Sequence, residues 1–129
     1  MKSLLSMLFT IICLLAYAQD GSIVQKTALT IHDSTWNRLQ NADAALAQRI
    51  RDSVAFYKIT YMSDGLKVTA YMAEPKAAGV YPCIISNRGG NRDFGQWNPW
   101  SITRFLGHMA SWNYVVIASQ YRAMMAVKE

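Results

Sequence analysis

The sequence predicts an α/β protein: an N-terminal hairpin leading into a mixed, mainly parallel sheet with flanking helices. Three observations carry this expectation. First, "VAFYKITYMS" (54–63) and "LKVTAYMAEP" (66–75) are rich in aromatic and β-branched residues and flank Asp64-Gly65. That dipeptide tolerates the positive φ angles of a tight hairpin turn. Second, residues 81–87 and "YVVIASQY" (114–121) are nearly continuous apolar runs of strand length, as strands buried on both faces are. Third, "NPWSITRFLGHMASW" (98–112) lies between those two runs and carries helical spacing. Strand, helix, strand in that order implies a right-handed parallel crossover.

The elements follow in chain order. Lys2 precedes "LLSMLFTIICLLAYA" (4–18), which holds no charge. Fifteen residues are short of the about 20 that a bilayer-spanning helix needs. Ala16 and Ala18 sit where a signal peptidase reads small residues, so residues 1–18 are expected to be a cleaved secretory signal. Thr10 stands three residues before Cys13, where a lipoprotein box would have Leu, which argues against lipidation. Residues 19–32 give no clear assignment. From Asp33 to about Val54, Trp36, Leu39, Ala42, Leu46 and Ile50 form one stripe at spacings of three and four, a single amphipathic helix with Asp33 or Ser34 as its cap. The hairpin follows. Pro75 ends its second strand, and "KAAG" (76–79) makes a turn. The third strand, about Tyr81 to Asn87, opens onto Arg88-Gly89-Gly90-Asn91. Pro99 starts the next helix, with Ile102, Phe105, Leu106 and Met109 expected on its buried face. The fourth strand closes the pattern.

The chain has 129 residues, 52% of them hydrophobic, and a formal charge of +5. This suits one domain. The positive charges are scattered, with no cluster beyond Arg88 and Arg92, so no nucleic-acid partner is expected. Removal of the leader leaves Cys83 as the single cysteine, so no internal disulfide is possible. Its place in an apolar run predicts a buried, inert thiol. The glycines at 89, 90 and 95 lack Gly-x-Gly-x-x-Gly spacing, and no Gly-Lys-Ser/Thr occurs, which disfavours a dinucleotide or phosphate site. No metal or other cofactor is expected.

From about Tyr57 to Arg122 the wording resembles the opening of an α/β-hydrolase domain. More narrowly, it resembles the catalytic domain of prolyl oligopeptidase family serine peptidases, with their dipeptidyl- and acylaminoacyl-peptidase relatives. "ITYMSDGLKVTAYMAEP" resembles the family's first hairpin, "YPCIISNRGGNRDFG" its third strand and oxyanion loop, and "NYVVIASQYR" the next strand. The resemblance implies residues 55–129 are the N-terminal portion of a hydrolase domain, after an N-terminal segment at 19–54. It implies peptide or ester substrates for complete relatives. It makes Arg88, Gly89, Gly90 and Asn91 the candidate oxyanion loop. The family usually has His-Gly-Gly or Tyr-Gly-Gly there, so Arg88 is a departure. Acyl transfer builds charge on the carbonyl oxygen, and donors must approach it closely. Glycine lets the backbone do so.

The catalytic triad is absent. The fold's nucleophile sits in Gly-x-Ser-x-Gly, followed by Asp and His, and no serine here has glycines two residues to either side. His108 falls within a helix and reads as structural, and His32 precedes the first helix with no evident partner in the sequence. After "SQYR" the family continues with a turn resembling Gly-Asn-Asp-Gly-Ser-Glu-Gly, whereas this chain reads "AMMAVKE". Codons for that tail, read one base earlier, permit the family's turn. A one-base deletion near the Arg122 codon, with truncation before the nucleophile, is therefore expected. The chain then reads as an inactive, exported piece of a serine hydrolase, with no stable membrane anchor. The alternative is a small secreted binding protein that stacks sugars or peptides on Phe94, Trp97 and Trp100. Four strands and two helices cannot cover both faces of a parallel sheet, so poor solubility or a need for another chain is expected.

Overall fold

The computed structural model describes residues 21–87 and 95–120. These form one five-stranded sheet with helices packed on one of its faces. The strands are β1 (Ile23–Ala28), β2 (Val54–Ser63), β3 (Leu66–Pro75), β4 (Cys83–Ser86) and β5 (Val115–Ser119), and their spatial order is β1-β2-β3-β5-β4. The helices are α1 (Asp33–Ala42), α2 (Ala44–Ser53) and α3, whose turns run Pro99–Ser101, Ile102–Leu106 and Gly107–Ala110.

The expected mainly parallel, α/β-hydrolase-like sheet is corrected by the pairing. β1·β2, β2·β3 and β3·β5 are antiparallel, and among the described strands only β4·β5 is parallel. Part of the reason is β1, which extends the hairpin from the stretch 19–32 that carried no clear sequence signal. All six of its residues are exposed, so burial left no periodic trace in the sequence. The hairpin itself forms as expected. Ser63 pairs with Leu66 around a two-residue turn, and Asp64 (φ 48°) and Gly65 (φ 74°) both take positive φ. The strand–helix–strand unit also forms, with Cys83 to Ser86 in register beside Val115 to Ala118.

The single helix expected over 33–54 is two helices. Asp43 adopts φ −159° and ψ 94°, and its side chain accepts Leu46 N–H at 2.9 Å, which caps α2. An aspartate satisfies a helix start better than it satisfies a helix interior. The break leaves Ala42 exposed, while Leu39, Leu46 and Ile50 remain buried. The cap of α1 is His32, not Asp33 or Ser34: its ring Nδ1 accepts Ser34 N–H at 3.2 Å. Pro99 takes the first position of α3, and Asn98 and Ser101 cap it reciprocally. The middle of α3 is a π-turn. Its wider winding rotates Phe105 out to 54% exposure, while Ile102 and Leu106 stay buried.

The core lies between the helices and one sheet face. Leu39, Ile50, Ile102 and Leu106 meet Val54, Phe56, Ala73, Val116 and Ala118 there. Full burial of each large aliphatic side chain stabilises by about 1.5–3 kcal/mol. Gly107 allows the closest approach of α3, since an added Cβ would sit 2.8 Å from Phe56 Cζ and 3.0 Å from Ile50 Cγ2. The other sheet face carries a smaller cluster of Ile59, Ala70 and Met72, and no described helix covers it. β4 is an edge strand rather than the central strand its composition suggested, and β5 is internal. Cys83 is accordingly exposed, not buried as expected, and Ile85 is 72% exposed. Among the described residues, no helix is long and apolar enough to cross a membrane.

Candidate functional site

Two parallel strands joined through a helix place their connecting loop at the strands' carboxyl ends, where sheets with such connections bind ligands. In this chain that loop joins β4 to α3. The candidate oxyanion residues Arg88, Gly89, Gly90 and Asn91 lie outside the described residues, as does Phe94. The described residues on either side show how the loop is held. On entry, Ser86 pairs in register with Ala118 of β5. On exit, the backbone of Trp97 is gripped by Gln120, just past β5. Trp97 N–H donates to Gln120 Oε1 at 3.0 Å, and Gln120 Nε2 donates to Trp97 O at 2.9 Å. Gln120 is only 7% exposed. Both ends of the loop are thus fixed to the same end of β5. Reasoning from sequence missed Gln120, although a glutamine closing an otherwise apolar strand was a visible signal.

The two described tryptophans of the alternative binding reading make other contacts. Trp97 and Trp100 pack against the helix-side core. The Arg38 guanidinium lies 4.1 Å from the Trp100 ring centroid, and Arg104 lies 5.6 Å from it. These contacts match the packing role of tryptophans beside a proline better than ligand stacking.

Neither histidine is placed for general-base chemistry. His32 Nδ1 lies 3.0 Å from Ser34 Oγ, but the same nitrogen accepts the Ser34 N–H, and the pair is an exposed helix cap. The His108 ring packs at a tilt of 55° against Trp112, with centroids 4.5 Å apart. Ser101 belongs to the α3 cap, and the Ser119 hydroxyl lies 3.1 Å from Tyr61 Oη. Among the described residues, no three His, Cys, Asp or Glu side chains group to hold a metal ion.

The uncovered sheet face carries a second feature. Ile59 and Tyr61 of β2, Ile117 of β5, and Cys83 and Ile85 of β4 alternate onto that face, and Ile23 of β1 joins them. They line an apolar groove of about 330 Å³. It is a surface for burying hydrocarbon, with little to orient a reacting group.

Comparison with known proteins adds one pointer. Over 69 residues, the chain is 39% identical to a peptidase. That protein is the uncharacterized peptidase YtmA of Bacillus subtilis, and the match covers 54% of this chain and 25% of YtmA. The chain is also 30% identical over 76 residues to a 2,3-dihydroxy-2,3-dihydro-p-cumate dehydrogenase of Pseudomonas putida, covering 58% of this chain and 29% of that protein. The chain therefore spans between a quarter and a third of the length of these relatives. No protein-family model matches it, and no solved structure does.

Proposed function

We propose that this chain is a portion of an exported serine peptidase or related hydrolase of the prolyl oligopeptidase type, and that it is catalytically inert by itself. The observation that carries the reading is the 39% identity to a peptidase over 69 residues. The loop geometry supports it: a glycine-bearing loop is anchored at both ends to the carboxyl end of β5, through Ser86 and through Gln120. In a complete relative, serine attacks the carbonyl, histidine carries the proton and aspartate orients the histidine. The backbone at residues 88–91 contributes to holding the oxyanion. This chain supplies the last component alone. Export rests on Lys2, the uncharged run 4–18 and the Ala16 and Ala18 pair.

The dehydrogenase similarity does not yield a second reading, because the glycine loop lacks dinucleotide spacing. The test is reaction of the purified chain with a chromogenic ester and a fluorophosphonate probe. The expected result is no hydrolysis above background and no labelled serine. A stoichiometrically labelled serine would refute the inert-chain reading.

A further inference from the structure

The segment that leads into α3 carries a donor that the packing does not pair. The indole Nε1–H of Trp97 is buried, with less than 1 Å² of the nitrogen open, and among the described residues it has no hydrogen-bond partner. No water molecule, ligand or second chain touches a nitrogen so enclosed until something moves. The enclosure is made by this chain itself, so further covering of its surface would not change it.

Buried polar groups are nearly always paired, and an unpaired one bears the full loss of its hydration. Such a group persists only where its surroundings over-determine it. Those of Trp97 do. Its backbone N–H and C=O are both held by Gln120, at 3.0 and 2.9 Å. The next residue, Asn98, is fixed by its reciprocal cap with Ser101, and Pro99 follows at the start of α3. The ring packs against the helix-side core. Trp97 as a whole is only half-buried, so its ring lies at the rim of that core. Gly95, two residues earlier, has φ 78°, a region that glycine enters without strain.

We propose that the Trp97 side chain is a two-position latch at the entrance to α3. In the packed position the ring is buried and its N–H is unpaired. In the outward position the ring has left the rim and the N–H is bonded to solvent. The opposing effects are comparable: burying an aromatic ring is favourable, and leaving its donor unpaired is not. The exchange needs no unfolding, because the Gln120 bonds hold the backbone while the side chain moves. With the ring outward, this segment is held by its backbone bonds alone. The inference does not depend on the peptidase reading.

Hydrogen exchange of the indole N–H reads the latch directly. In the nitrogen-15-labelled full chain, W97F assigns the Trp97 indole signal among the four tryptophans. Elimination through W36F, W100F and W112F serves if W97F does not fold. Opening to a state populated at about 0.1–10% predicts exchange about ten- to a thousandfold slower than in N-acetyltryptophanamide. The rate should not change with urea below the unfolding transition, since the opening exposes little surface. Protection should be at least about tenfold below that of the β5 backbone amides. Protection equal to that of β5 and falling with urea would overturn the proposal, because the N–H would then stay shut until the chain unfolds. So would exchange as fast as in the free compound. A cross-relaxation signal to a bound water would also overturn it, by showing the N–H paired in the packed position.

Discussion

The grip of Gln120 on Trp97 gives a direct prediction about how the candidate loop is held. Gln120→Met keeps most of the side-chain volume and removes both hydrogen bonds, at 3.0 and 2.9 Å. Each backbone group left without a partner in a buried place costs about 1–3 kcal/mol. Trp97 is only half-buried, so water can reach part of its backbone, and the lower end applies to each group. The expected loss is about 2 kcal/mol, a factor of about 30 in the folded-to-unfolded ratio at 1.4 kcal/mol per decade. With a urea slope of about 1–3 kcal/mol per molar, the unfolding midpoint should fall by about 1 M. Gln120→Ala should fall further, since it adds a cavity at a residue that is 7% exposed. The assay is urea unfolding followed by far-UV circular dichroism. A Gln120→Met midpoint equal to that of the parent would refute the claim that these bonds anchor the loop exit.

Three further outcomes follow from the packing and the caps. Asp43→Ala removes the side-chain acceptor of Leu46 N–H and should cost about 1 kcal/mol in the same urea assay. Gly107→Ala gains about 1 kcal/mol of helix propensity, but its Cβ meets Phe56 at 2.8 Å and Ile50 at 3.0 Å. Overpacking of about 1–3 kcal/mol outweighs that gain, so thermal unfolding should show a lower Tm; a higher one would mean the core yields freely. Lys26→Ala breaks an ion pair with Glu74 at 3.0 Å between part-exposed side chains. It should change stability by less than about 1 kcal/mol.

The sequence disclosed the elements whose signals are local. Asp64-Gly65 announced its turn because few pairs accept two positive φ angles, and Pro99 announced the start of α3 because its fixed φ suits the first helical position. Sheet position was not local. "CIIS" reads as a central strand because its residues are apolar, yet its place at the edge depends on β5 inserting between it and β3. No periodicity within 83–86 encodes that insertion. β1 stayed unread because all six of its residues are exposed, so no buried periodicity marks it in the sequence. Asp43 was visible but was absorbed into a helical stripe that its capping geometry divides. Phe105 kept a core spacing that only a regular α-helix would honour, and the π-turn turned it outward. For the candidate site, the strand that leads into the loop was legible, while residues 88–91 themselves lie outside the described residues. Gln120 was not, because its value lies in reaching Trp97 across the fold.

The measurement that tests the account most directly is a graft. The 69-residue stretch matched in the Bacillus subtilis peptidase is replaced by its counterpart from this chain, and hydrolysis of a chromogenic ester by the folded chimera is measured. The proposed peptidase reading predicts retained hydrolysis that falls about a hundredfold or more when Gly89 and Gly90 are both replaced by valine, the scale of losing an oxyanion donor. A folded chimera that binds a fluorophosphonate poorly and hydrolyses nothing would contradict the account.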